Sequence, residues 1–382
     1  MNLAFQFLRF GVLAVVTVAM LFVAALFAFI PGERQAAAVP ATISAEETAQ
    51  TLAALKPPKR ARPVVAVVGA NDGTETTDYL IPYGVLKRSG AADVFALGTR
   101  AGPMTMMPSL TIMPEATTAQ FVQRYPDGAD YVIVPALHDP TDPVVRDFIR
   151  RQAALGATIV SICDGTLVMA NAGLLDGHRA TGHWFQIDSV AKAHPTMQRV
   201  RDRRYVADRG IVTTTGVSAS VPVSLALVEA IAGRDRAAAL AQEIGARGWS
   251  AEHDSGAFHL IRDDVWIILG NLFVGLFDRE TVAVRVPEGA DVIAAAIMAD
   301  SYGRTFRTQA VVLGSGSIRT AEGLAIVPDA GDATADVVVD LPVGQPARAL
   351  DLAIAGIRAR YGDATAAFVR VQLEDRGHTT GS

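Results

Sequence analysis

Ser161-Ile-Cys-Asp-Gly165 holds the single cysteine of the 382-residue chain, and its reading decides the fold. Before it, Ala157-Thr-Ile-Val-Ser-Ile162 is an apolar run of strand length. After it, Thr166-Leu-Val-Met-Ala-Asn171 reads as the opening turns of a helix. Strand, tight turn and helix make a nucleophile elbow, which presents one side chain at the C-terminal edge of a parallel sheet. The backbone crowds itself in such a turn, so the residues two before and two after the nucleophile are small. Ser161 and Gly165 meet that demand. A helix N-terminus also favours the thiolate, because the helix dipole places partial positive charge there. The competing reading of Cys163 is a structural thiol, since free cysteine is among the most buried residue types.

Working outward, Pro63–Val68, Asp93–Leu97 and Asp130–Pro135 read as buried strands, with a short strand at Leu110–Met113. Helices are expected over Thr77–Ser89 and over Pro143–Leu155, where proline at the first turn loses no hydrogen bond. Alternating strands and helices predict a parallel sheet covered on both faces. Ligands in such sheets bind beyond the carboxyl ends of the strands. Asp78, His138 and Cys163 all fall there.

The flanks Ala172-Gly-Leu-Leu-Asp-Gly-His-Arg-Ala-Thr-Gly-His-Trp184, Arg204–Ser220 and Ser224–Gly233 follow the elbow in order. Over roughly Pro63–Gly233 the chain resembles the ThiJ/PfpI family of the class I glutamine amidotransferase-like superfamily. Within it, the branch of isonitrile hydratase and the amidase-like domains of AraC-type regulators is nearest. The resemblance implies a flavodoxin-like α/β sandwich with Cys163 as nucleophile. It implies an acid at the start of the first helix, an Asp four residues before a Pro; Asp78 and Pro82 fit, and Glu75 is the runner-up. The alternative for Asp78 is a helix cap. His183 is either a base for the thiol or a support for the site; His138 reads best as a surface loop residue. Two positions depart from the family pattern. Asp164 follows the cysteine and should raise the thiol pKa. Ala136-Leu137 replaces the Gly pair that helps form an oxyanion hole, although backbone N–H groups remain there. Gly165 completes the expected pocket lining. No His spacing suggests a metal site, and no cofactor is expected.

The second half repeats the first. Val65-Ala-Val67 returns as Val282-Ala-Val284, Asp93–Gly98 as Gln309–Gly314, Leu110–Glu115 as Leu324–Asp329, and Ala129–Val134 as Ala335–Asp340. The helix Val144–Leu155 matches Arg348–Tyr361, and Phe368–Leu373 would be the next strand. Residues 281–382 are therefore expected to form a truncated, catalytically empty α/β copy with Ala294 in the place of Asp78. It would act as an internal pseudo-dimer partner, the alternative to a homodimer. The apolar segment Phe258–Phe277, broken by Arg262, Asp263 and Asp264, reads as a connecting helix packed between the domains rather than a membrane span.

Composition bounds the rest. Half of the residues are hydrophobic and the net charge is −5, with no basic run to suggest nucleic acid. Phe10–Ile30 is uncharged and long enough to cross a bilayer. Ala36-Ala-Ala38 offers a cleavage site, but an uncleaved signal anchor is the expectation, with the body outside the cytoplasm. The expected organisation is an anchor (1–34), a linker with a short helix at Glu46–Leu55 (35–62), a ThiJ/PfpI-like domain (63–245), a connecting helix (246–280) and the half-repeat (281–382). Function divides three ways: a cysteine-dependent hydrolase, hydratase or lyase acting on a small molecule; an inactive ligand-binding or regulatory domain; or a redox thiol.

Overall fold

The structure, a computed structural model, describes residues 17, 30–34, 40, 42–314, 316–329 and 335–377. The run Phe10–Ile30 lies outside them except for Thr17 and Ile30. Among the described residues no helix is long and apolar enough to cross a membrane.

The elbow strand sits inside the main sheet. In chain order its strands are β1 (Val64–Gly69), β2 (Asp93–Gly98), β4 (Tyr131–Val134), β5 (Thr158–Ser161), β6 (Tyr205–Asp208) and β7 (Ile211–Thr214). They lie in the order β6-β7-β5-β4-β1-β2, and the short strand Ala116–Thr117 closes the edge beyond β2. All pairings are parallel except β6 with β7. β1, β4 and β5 are buried along their whole length, which is why they carry Val and Ile runs instead of an alternating pattern. This is the expected flavodoxin-like α/β sandwich.

The connector is more than a tether. Ser44 caps helix α1 (Ala45–Ala54), Leu55 is fully buried, and Arg203 clamps Glu47 at 2.6 Å. Further on, Arg60 reaches the buried Asp130 at 2.6 Å. Residues 42–62 are therefore strapped to the domain.

Helix α2 (Thr76–Ser89) follows β1 and ends at Gly90, whose left-handed φ of 65° closes it. α2 is buried on nearly every side because the repeat covers its outer face. The repeat contributes β8 (Glu280–Arg285), α5 (Val292–Gly303), β9 (Thr308–Leu313), β10 (Ala325–Val327) and β11 (Val337–Asp340), with a three-stranded sheet in the order β9-β8-β11. α5 crosses α2 where Gly84 leaves no room: a Cβ there would lie 2.7 Å from Ile293 and 2.8 Å from Val292. A second seam is a shared sheet, in which β10 pairs antiparallel with β3 (Thr111–Met113). One apolar core runs through Leu80, Tyr83 and Val85 into Val284, Ile293 and Ile354. The two parts of the chain thus form one continuous body.

Three expectations about the C-terminal part need correction. Phe368–Leu373 is not a strand: helix α6 (Ala349–Gln372) runs through it, with a kink at Gly362. Its buried residues, Thr365, Ala366, Phe368 and Val369, recur at helical spacing, and Val369 with Val371 mimics alternation over too few residues to decide. The connecting helix α4 (Arg262–Phe277) does not bury its apolar residues between the domains. Trp266 and Leu269 are exposed, and the buried positions are Asp264 and Asn271. The repeat is also not empty at the site, because it lends side chains to it.

Candidate functional site

Cys163 is held by its backbone before its side chain is considered. Its N–H donates to the Thr215 carbonyl and to Thr214 Oγ1, both at 3.1 Å. Its φ is +56°, a left-handed conformation that costs a non-glycine residue roughly 1–3 kcal/mol and is kept only when the surroundings impose it. Asp164 then begins α3 (Gly165–Asn171). Gly165 is required because a Cβ there would meet the Val134 carbonyl oxygen at 2.1 Å. The elbow read from Ser161–Gly165 is the conformation adopted.

The N-terminus of α2 faces the cysteine. Glu75 caps this helix, accepting from Asp78 N at 2.5 Å and from Thr77 Oγ1 at 2.9 Å. Asp78 Oδ2 accepts from Ala136 N at 3.1 Å, while its buried Oδ1 has no hydrogen-bond partner. The Ala136 N–H is therefore occupied by the acid and is not a free oxyanion donor. Leu137 bridges back to Thr74 and is buried, and His138 is exposed on the surface. No hydrogen bond joins Asp78 to the thiol among the described residues.

Arg304, just past the end of α5, enters the site from the repeat. It donates to Glu75 Oε1 at 2.5 Å and to Asp300 Oδ2 at 2.7 Å. The internal symmetry explains the placement. Arg88 at the end of α2 binds Asp291, the cap of α5, as Arg304 binds Glu75, the cap of α2. Each copy sends an arginine to the other's first helix. The self-comparison that pairs Asp93–Gly98 with Gln309–Gly314 could have flagged Arg304 as the counterpart of Arg88, but it drew attention to strands and not to charges.

Glu75 and Asp300 bind this guanidinium and Asp78 feels its charge, yet burial raises all three carboxyls above their ordinary range. Burial, with the neighbouring Asp78, raises Glu75 to about 8. Burial likewise raises Asp78 and Asp300 to about 7, with Arg304 pulling both the other way. The thiol is also pushed well above its ordinary value, by burial first and then by Asp78, Asp164 and Glu75; Arg304 opposes them. The thiolate expected from the helix N-terminus is overridden: α3 is short, and burial together with three acids raises the thiol.

His183 lies over the elbow. Its Nε2 is 3.0 Å from the Gln372 carbonyl of α6, which can only accept, so that nitrogen carries the proton and leaves Nδ1 as an acceptor. Nδ1 is 4.0 Å from Asp164 Oδ2. The ligating atoms of Cys163, Asp164 and His183 lie within 4.8 Å of one another, the one such set among the described residues. Sulfur, oxygen and nitrogen donors at that spacing would suit a zinc-like cation, but the raised thiol pKa and the nearby Arg304 oppose one. Glu374, also from the repeat, accepts the Trp184 N–H at 2.8 Å and lies 3.1 Å from His253. Burial would raise its pKa, but the two histidines and that N–H hold it below the ordinary value. A cavity of about 400 Å³ opens between the copies beside this cluster, lined by Thr77, Ile81, Val217, Ile297, Asp300 and Glu374.

The model of the DJ-1/PfpI family matches residues 64–230. Isonitrile hydratase of Pseudomonas putida is 32% identical over 161 residues, which are 41% of this chain and 67% of that protein. The HTH-type transcriptional regulator CdhR of Pseudomonas aeruginosa is 33% identical over 26% of this chain and 30% of its own length. Among solved structures, DJ-1beta of Drosophila melanogaster superposes with a TM-score of 0.43 at 23% identity, covering 47% of this chain and 96% of that one.

Proposed function

Because the chain belongs to the DJ-1/PfpI family, we propose that it is a cysteine-dependent enzyme that adds water across a small electrophilic molecule, with Cys163 as nucleophile. The observation that carries this reading is the left-handed Cys163 elbow set against a carboxyl pair that holds protons near neutral pH. His183 Nδ1 takes the thiol proton as Sγ attacks the substrate carbon. Asp78 gives its proton to the atom that gains the electron pair. Water then adds to the same carbon and returns one proton to Asp78, while the departing sulfur recovers its own from His183. Arg304 offsets the negative charge gathered around the attacking sulfur. Isonitriles, amides and related small electrophiles form the screen, with Cys163→Ser as the inactive control. Turnover by the protein and none by the variant is the expected result.

A second reading, a weak or inactive ligand-binding domain, is favoured by the raised thiol pKa, the occupied Ala136 N–H and the inter-copy cavity. Saturable small-molecule binding with no turnover and an inert thiol would establish it. In either case the body is held at a membrane by Phe10–Ile30, on the side away from the cytoplasm. The support is that run's uncharged length and, for the side, Arg9 with the N-terminal amine before it against Arg34 after it.

A further inference from the structure

Helix α4 is built inside out. Its fully buried positions are the polar Asp264 and Asn271, with Val265, Ile267, Ile268, Val274 and Gly275 half-buried around them. Asn271 donates to the Thr305 carbonyl at 2.9 Å, Asp264 accepts from Ile261 N at 2.9 Å, and Gly275 packs where a Cβ would be 3.0 Å from the Phe306 carbonyl. Its outward positions are apolar: Leu269, Leu272, Phe273, Leu276 and Phe277, with Phe273 at 64% exposure and Leu276 and Phe277 near four-fifths. They recur at three- and four-residue spacing, so they form one stripe along the helix. Phe306, next to this helix, is exposed as well. Contiguous apolar surface of this kind marks an interaction site, since leaving it in water is costly.

The neighbour of α4 says what covers it. The N-terminal apolar run ends at Ile30, and the chain meets α4 there. Arg262 N donates to the Pro31 carbonyl at 3.0 Å, Arg262 Nε donates to the Ile30 carbonyl at 3.1 Å, and Arg34 pairs with Asp264 at 2.5 Å. The first residues of α4 are thereby tied to the point where the expected anchor leaves the bilayer. We propose that α4 lies in the lipid–water interface, with Leu269–Phe277 among the acyl chains, so that the body is held against the membrane in one orientation. An interfacial helix needs an outward apolar stripe carrying Phe and Leu, and α4 has one. The proposal rests on the anchoring reading of Phe10–Ile30.

The test uses the full chain in phosphatidylcholine vesicles. Phe273→Cys, made in a Cys163→Ser background, carries an environment-sensitive dye. Val343→Cys, fully exposed on the repeat, carries the same dye as a control. The expected result is blue-shifted emission at position 273, quenching there by lipids bearing doxyl groups, and several-fold loss of iodide quenching relative to 343. Carbonate extraction of the same vesicles reads the anchor separately. A chain that resists carbonate but shows position 273 as open to iodide as 343 keeps its anchor and overturns the docking. A carbonate-extractable chain whose label is still quenched by doxyl lipid supports the docking and overturns the anchor. A label shielded from both iodide and doxyl lipid is covered by protein, either residues 10–29 or a second copy, and the proposal fails.

Discussion

At Cys163 two opposing influences meet, and magnitudes decide between them. The dipole of a seven-residue helix is worth about 0.3–1 kcal/mol near the surface. Burial together with Asp78, Asp164 and Glu75 outweighs it and raises the thiol. Alkylation by iodoacetamide should therefore be slow at neutral pH and still rising above pH 9. Arg304→Met should slow it further by removing the opposing positive charge, while Asp164→Asn should speed it. A plateau below pH 8 would show that the thiolate is favoured after all. Asp78 makes a second prediction. Its folded pKa of about 7 stands above the unfolded value near 4, so the folded state keeps a proton that the unfolded chain loses. That contribution to stability is complete below about pH 4 and is lost as pH rises through about 7. Melting temperatures of Asp78→Asn and of the parent protein, compared at pH 5 and pH 8.5, should shift in favour of the variant at the higher pH. A pH-independent difference would exclude the raised pKa.

The elbow is the element on which the site depends. Gly165 sits 2.1 Å, measured from an added Cβ, from a backbone oxygen that no side-chain movement can relieve. Gly165→Ala should lower stability by roughly 1–3 kcal/mol, the usual scale for overpacking, and should displace the thiol. Thermal unfolding and Cys163 labelling would read the two effects. Gly173, whose φ is +73°, has nothing within 4 Å of an added Cβ and lies after α3. Its substitution tests strain without a clash and should leave labelling unchanged.

For the whole molecule, the packing of α2 against α5 makes the repeat a structural requirement. Ending the chain before Thr281 would uncover Ile81, Tyr83 and Val85 on α2 and leave β3 without β10. Each buried aliphatic side chain contributes about 1.5–3 kcal/mol, so several together approach the stability of a domain. Residues 42–280 should melt well below residues 42–377, or aggregate. Equal midpoints would mean that the copies are independent. The same cut removes Arg304 and Glu374, so any thiol chemistry should change even where folding survives.

Local pattern in the chain determined the parallel sheet and the elbow, and the family resemblance pointed to the α2 acids. Val runs and a Gly two residues past the cysteine each impose a conformation through short-range sterics. Only the tertiary structure decided what those elements face. Arg304 lies more than two hundred residues from Glu75, and nothing local at either position marks the other. The state of the thiol was likewise beyond local reading, since burial and the acids Asp78, Asp164 and Glu75, not the helix end, set it. Phe368–Leu373 fitted two periods equally well, and packing on the repeat chose the helix. For α4, composition predicted burial, but the folded body covers only part of its apolar residues. Its apolar side was left facing outward.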